Sequence, residues 1–224
     1  DCGQGRGADQ SRWSPGINVG VALDIRDNCY LIKHAQGWML WDTGVPDAVA
    51  AMPDGLVSPL STWKRPKTLA AQLAEVGVAP ADVKWVAISH THGDHVGNVD
   101  LFQGATVLMQ KAEYDWSFAP TKTFPFSADR KVQKLEGDHD VFGDGAVRIV
   151  STPGHTPGHQ CLLVSLKNTG YVLLSGDAAH FTDNWQNRRV PSMNTSREQT
   201  LASFDRIDAV LAQYKAALWI NNDK

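Results

Sequence analysis

An α/β fold is what the sequence predicts, and three features predict it. Apolar residues alternate or run together in short segments separated by Gly, Asn and Asp turns, the signature of strands. The stretch 195–214 carries apolar residues at helical spacing. Several strand-like segments end directly in polar turns bearing His or Asp, where a loop can present them for chemistry. At 224 residues the chain can build one large core, and residues 1–224 read as a single domain. No repeat of 20–50 residues stands out, although the order of elements allows two β-then-α halves.

The Gly-rich residues 1–16 read as a loop-like lead-in. From Ile17 the pattern is β-like: Val19, Val21, Leu23 and Ile25 alternate, then Cys29-Tyr30-Leu31-Ile32 and Trp38-Met39-Leu40-Trp41 follow. Turn chemistry at Asp27-Asn28 and Gln36-Gly37 makes this a hairpin meander. It closes on Asp42-Thr43-Gly44, where Asp42 is either a plain turn residue or a carboxylate that orients a metal ligand. Pro46, Pro53 and Pro59 break 45–65 into a long loop carrying Trp63. Pro66 opens a helix over 67–76, and Gly77 ends it. A strand over 84–89, a short helix over 96–101 and a strand over 105–110 come next.

Residues 111–130 interleave Tyr114, Trp116, Phe118, Phe124 and Phe126 with Pro120 and Pro125, so no regular helix spans them. The aromatics are either core filler or a lid over an apolar substrate, and the lid is the expectation. Strands are expected over 141–142, 147–151, 161–166 and 171–174, with Asn168-Thr169-Gly170 as a turn. Thr195-Ser196 caps a helix whose apolar face is Leu201, Phe204, Ile207, Val210, Leu211 and Tyr214. A last strand, 217–220, ends in Asn221-Asn222-Asp223.

The densest chemistry lies at Ser89-His90-Thr91-His92-Gly93-Asp94-His95, directly after the apolar Val86-Ala87-Ile88. Imidazole and carboxylate together suit borderline cations such as zinc. His90 and His92, two apart, can point the same way from an extended segment, while Asp94 and His95 can face a second ion. Two later strand-then-turn fragments add His155, in Gly154-His155-Thr156-Pro157, and Asp177, in Ser175-Gly176-Asp177.

Composition excludes other classes. With 42% hydrophobic and 20% charged residues the chain reads as globular, and no apolar stretch is long enough to span a bilayer. A net charge of −3 without a Lys or Arg run gives no electrostatic case for nucleic acid or a membrane surface. Asp1-Cys2-Gly3-Gln4-Gly5 lacks the features of a signal peptide. That start says little about export, since a removed segment would leave the same beginning; the compartment stays open between the cytoplasm, placed first, and export. Cys2, Cys29 and Cys161, odd in number and widely spaced, suggest no disulfide framework, and Cys29 and Cys161 read as buried thiols in apolar strands.

The order H-x-H-x-D-H, Gly-His, Gly-Asp resembles the metallo-β-lactamase superfamily, from Asp42-Thr43-Gly44 to the final strand. The resemblance implies an αββα sandwich, two mixed sheets flanked by helices, with two divalent ions at the sheet edge. It implies His90, His92 and His155 on one ion, Asp94 and His95 on the other, and Asp177 bridging. Asn222 stands where the family usually has a final His ligand. An amide oxygen binds zinc more weakly than imidazole. Either the second site is loose, or Asn222 ligates by its oxygen, or the chain is an impaired form of a His-bearing parent.

Within the superfamily the chain is most similar to the N-acyl homoserine lactone hydrolases, the quorum-quenching lactonases. The supporting stretches are Asn28-Cys29-Tyr30-Leu31-Ile32-Lys33, Gly37 to Gly44, Gln110 to Tyr114 and His155 to Gln160. Many members of that group carry a Tyr three residues after the bridging Asp; here His180 stands there, either as a replacement donor or as part of the rim. The implied reaction is opening of a lactone ring by a hydroxide shared between two ions, zinc first, with cobalt, manganese or iron also matching the donors. Asp94 would carry the proton to the leaving oxygen, and His180 would donate to the oxyanion. Trp63, Trp116, Phe118, Phe124, Phe126, His180 and Trp185 would line the substrate pocket. A β-lactam, thioester or phosphoester hydrolase is the competing reading. The expected partner is a small lactone, with no nucleic acid or membrane, and a homodimer is left open.

Overall fold

A computed structural model describes residues 1–223. Its strands are β1 (Gly3–Gly7), β2 (Leu23–Asp27), β3 (Tyr30–His34), β4 (Gly37–Trp41), β5 (Leu56–Val57), β6 (Ser61–Lys64), β7 (Val83–Ala87), β8 (Thr106–Gln110), β9 (Val132–Leu135), β10 (His139–Asp140), β11 (Val147–Ser151), β12 (Gln160–Leu166), β13 (Gly170–Leu174) and β14 (Ala217–Trp219). The helices are α1 (Leu69–Glu75), α2 (Gly93–Val96), α3 (Lys111–Ser117), α4 (Thr182–Gln186) and α5 (Arg197–Tyr214).

Alternation along the strands sorts side chains into layers. Met39 and Trp41 of β4, Ala87 of β7 and Leu108 of β8 pack against Ile149, Leu162, Val164 and Val172 from β11, β12 and β13. That core fills the space between two five-stranded sheets, ordered β3-β4-β7-β8-β9 and β10-β11-β12-β13-β14. The intervening residues Leu40, Val86, Val107 and Met109 face the other way, onto Leu69 and Leu73 of α1. On the far side Val150, Cys161, Leu163 and Leu173 meet Ile207, Val210, Leu211 and Tyr214 of α5. The result is an αββα sandwich.

Pairing direction decides where the chemistry gathers. β4, β7 and β8 run parallel, as do β13 and β14, while β11, β12 and β13 are antiparallel. Parallel neighbours bring their C-terminal ends to one edge, the usual place for a site in such sheets. Asp42 follows β4, His90 follows β7, Asp177 follows β13, and Asn222 follows β14.

The N-terminal third departs from expectation. Residues 1–16 are not all loop, because β1 pairs with both β2 and β6. Its signal was glycine at every second position, for packing rather than turning. A Cβ at Gly5 would sit 2.9 Å from the Trp63 ring, and one at Gly7 2.6 Å from Leu23. Val19 and Val21, read as strand, are 72% and 52% exposed in a loop with Asn18 at φ 47°. β2 pairs with β1 rather than β3, so the meander changes sheets at Asn28. The 45–65 loop contains the β5–β6 hairpin. α1 starts two residues later than expected, because the Thr68 hydroxyl accepts from the Ala71 amide and caps it. The strand expected at 141–142 is instead β10, at 139–140.

Cys2 and Cys29 form a disulfide, Cα atoms 5.7 Å apart, correcting the expectation of free thiols. The odd count hid it; the Cys2 amide donates to the Asp27 carbonyl at 2.8 Å, which draws residue 2 against the end of β2. Cys161 is free and buried, as expected, and burial pushes its thiol up to about 12.

Candidate metal centre

Three ring nitrogens converge at the sheet edge. His92 Nδ1 lies 3.0 Å from both His90 Nε2 and His155 Nε2, and those two are 3.2 Å apart. A tetrahedral ion with 2.0–2.1 Å bonds to nitrogen sets its ligands about 3.3 Å apart, so this triangle fits one. Burial, reinforced by the neighbouring imidazoles, holds His90 and His155 well below the usual histidine range; burial also lowers His92. Neutral imidazole is the state that binds metal.

Each ring is oriented by a partner. His155 Nδ1 is 2.9 Å from Asn194 Oδ1, so it carries the proton and leaves Nε2 as a lone pair. His90 Nδ1 lies 3.0 Å from the Ser89 hydroxyl. Glu113, fully buried on α3, accepts from the Thr91 amide and hydroxyl and from the Gly158 amide, tying the 90–92 loop to the His155 turn.

A second face is built on His95. Its Nδ1 is 3.0 Å from Asp42 Oδ2, and its Nε2 has no hydrogen-bond partner among the described residues. Asp42 takes up left-handed backbone, φ 54°, and also accepts from the Ser89 amide and hydroxyl at 2.7 and 2.8 Å. Of the two readings left open for Asp42, the geometry is that of the orienting carboxylate. Burial opposes protonation of His95, yet the carboxylates of Asp177 and Asp42 outweigh it and raise its pKa well above the usual value.

Asp177 stands between the two faces. Its Oδ2 is 3.9 and 3.7 Å from the Nε2 atoms of His90 and His155, and its Oδ1 is 3.4 Å from His95 Nε2. Gly176, at φ 51°, makes this approach feasible, since a Cβ there would meet Ser89 Cβ at 2.7 Å. The Asp177 amide donates to His159 Nε2 at 3.0 Å. His159, pushed down to about 3 by burial, is a neutral acceptor there. Burial raises the Asp177 pKa, but the imidazoles of His180 and His95 prevail and hold it well below the carboxylate range.

Sets of ligand atoms close enough to share an ion are His90, His92 and His155; His90, His95 and Asp177; and His155, Asp177 and His180. Of the expected ligands, His90, His92, His95, His155 and Asp177 fall in these sets. Asp94, half-buried at the start of α2, is in none of these sets. Asn222 is buried, with its Oδ1 unpartnered among the described residues. His180 Nε2 is 3.1 Å from Asp177 Oδ2, and its Nδ1 is also unpartnered.

The expected substrate lining separates into three places. Trp116 is at the site, its ring 6.4 Å from that of His92. Phe126 belongs to the core beneath α1, with Phe118 packed on it at 5.1 Å, and only Phe124 is exposed. This corrects the lid reading for Phe118 and Phe126, which are core filler. Trp63 lies over Gly5 in the four-stranded sheet, and Trp185 packs edge-on to Phe204 at 5.1 Å. Those two serve packing there. Asn194 and the acceptor role of His159 were missed; neither is marked by a local spacing.

A buried imidazole–carboxylate cluster at the edge of an αββα sandwich defines a class of metal-site proteins. The chain belongs to the metallo-beta-lactamase superfamily, matched over residues 25–212. It is 33% identical to the N-acyl homoserine lactonase AttM of Rhizobium radiobacter, over 91% of this chain and 84% of that one. It is 30% identical to an N-acyl homoserine lactonase of a Bacillus species, over 96% and 88%. Among solved structures, a point mutant of B. thuringiensis AiiA with N-decanoyl-L-homoserine at its active site matches with a TM-score of 0.87 and 26% identity. That match covers 99% of this chain and 90% of AiiA.

Proposed function

We propose that residues 1–224 act as one domain, a metal-dependent hydrolase that opens N-acyl homoserine lactones or similar lipophilic lactones. The observation that carries this reading is Asp177, whose two oxygens face two different imidazole sets. The lactonase relatives, and the acyl-homoserine bound by the AiiA mutant, support the substrate class.

His90, His92 and His155 would hold one ion, for which three nitrogens suit zinc. His95 and Asp177, with Asp94 and Asn222, would hold a second. Bound there, such ions activate water and polarise an ester carbonyl. Asp42 and Asn194 fix the tautomers of His95 and His155. Asp94, half-buried beside the cluster, carries a proton on its carboxylate to the leaving alkoxide. His180, held 3.1 Å from Asp177 Oδ2 through Nε2, would donate to the developing oxyanion. Trp116 covers part of the acyl chain, each buried CH₂ contributing about 0.8 kcal/mol.

A pH-stat panel of lactones with short and long tails, nitrocefin and a bis-phosphate ester tests the assignment. Long-tailed lactones should turn over fastest. Rapid nitrocefin or phosphoester turnover with inert lactones would overturn it.

A further inference from the structure

The Cys2–Cys29 bridge backs the turn that orients His95. Cys2 packs directly on residues 42–45: its carbonyl accepts from the Val45 amide at 3.1 Å and from Arg65 Nη1 at 2.7 Å. Only glycine fits at residue 44, because a Cβ there would collide with Cys2 Cβ and the Cys2 carbonyl. The same turn is tied forward to α2, since the Thr43 amide donates to the His95 carbonyl at 2.8 Å and the Gly97 amide to the Gly44 carbonyl at 2.9 Å. Asp42, at its head, holds His95 Nδ1 at 3.0 Å.

At the other end of the bridge, Cys29 follows Asn28, whose backbone and side-chain amides donate to Asn221 Oδ1 and to the Asn221 carbonyl at 3.2 and 2.8 Å. One covalent bond thus joins the backing of the 42–45 turn to the loop after β14. The surroundings of the two sulfurs suit exchange. Cys29 is half-buried and, with Leu31, Trp38, Leu69 and Leu73, lines an open cavity of about 370 Å³. Cys2 is 2% exposed, so an incoming thiol meets Cys29 first. Arg65, whose side chain is wholly buried and pairs with Asp47 through Nε at 2.9 Å, places Nη2 3.9 Å from Cys2 Sγ. A cation beside a sulfur favours its thiolate, and a better leaving thiolate speeds thiol–disulfide exchange.

We propose that Cys2–Cys29 is a redox site that clamps the Asp42 turn behind His95 and is opened by a thiol attacking Cys29. The incoming thiolate bonds to Cys29 Sγ as the S–S bond breaks, and the electron pair leaves on Cys2 Sγ beside Arg65. With a dithiol, the second thiolate then attacks the mixed disulfide and Cys29 departs. The protein gains two electrons and two protons, and the dithiol becomes a disulfide. Once open, residue 2 is held to the turn by hydrogen bonds alone, so Asp42 grips His95 less firmly. The loosening of the turn stands on this geometry; its consequence for a bound cation rests on the metal-hydrolase reading above.

The test compares amide hydrogen exchange of the full chain before and after dithiothreitol, with chelator present in both states so that metal plays no part. Reduction should speed exchange over 42–46 and 220–223 roughly ten-fold or more while β11, β12 and β13 stay unchanged. Glutathione followed by alkylation should leave its mixed disulfide on Cys29. Cys29→Ser should exchange like the reduced protein and ignore the dithiol; should that variant fail to fold, the reduced wild type carries the test. Against a chromophoric chelator, Cys29→Ser should bind zinc about 10-fold more weakly than the oxidised wild type. Exchange unchanged by reduction, exchange raised evenly over every strand, or a mixed disulfide on Cys2 would overturn the clamp and leave the hydrolase intact. A wild type that binds no zinc while its exchange still responds to dithiol would instead overturn the metal reading.

Discussion

His95 Nδ1 and Asp42 Oδ2 lie 3.0 Å apart, both fully buried, and this contact aims His95 Nε2 at Asp177. A carboxylate behind a metal-binding imidazole fixes its tautomer and raises its basicity. Asp42→Asn keeps the shape and removes the charge. Metal affinity, measured against a chromophoric chelator, should fall about 10- to 100-fold. Unchanged affinity would contradict the orienting role.

The metal-free protein should be most stable near pH 6.5. Burial raises Asp27 to about 8 from an unfolded value of 3.8, so the folded state holds a proton the unfolded state has released. Stability therefore falls as pH rises between those values. His95 is also raised, so its contribution is complete below 6.5 and is lost as pH climbs through its folded value. His90, His92, His155 and His159 are lowered, so the unfolded state takes up protons first and stability falls on acidification below 6.5. Calorimetry in chelator from pH 5 to 9 should trace a dome. A curve that keeps rising to pH 9 without metal would be inconsistent with this set of shifts.

Thiol counting checks the cysteines. Denatured but unreduced protein should titrate one thiol, reduced protein three, and native protein none, because Cys161 is buried and held protonated. Three thiols before reduction would refute the Cys2–Cys29 bridge. A bridge present in protein taken directly from its host would indicate an oxidising compartment and set aside the cytoplasmic expectation.

His180 separates donor from ligand. His180→Phe should lower kcat about 10²- to 10³-fold, as loss of an oxyanion donor does, with metal content unchanged. A parallel loss of metal would make His180 a ligand, as its place beside His155 and Asp177 would also allow.

How much was legible in advance follows from the range of the interactions involved. The H-x-H-x-D-H run lies within one loop, so spacing alone revealed it, and the Gly-His and Gly-Asp turns announced His155 and Asp177. The helix over 197–214 was equally plain, because Ser196 and the apolar period are local signals. Asn194 was silent, since it matters only through a partner far along the chain. β1 was missed because its glycines signify close approach by Trp63 and Trp13 instead of a turn. The aromatics at 116–126 share one composition but divide between core and site, which only packing decides.

The central claim is that separate strand ends assemble one metal-dependent hydrolytic centre. Metal analysis of purified protein, followed by chelation and reloading during pH-stat assay of a long-tailed lactone, tests it most directly. Divalent ions should co-purify, acid release should stop on chelation, and metal should restore it. Full lactone hydrolysis by protein shown to hold no metal, or protein that binds no divalent ion under any loading, would contradict it.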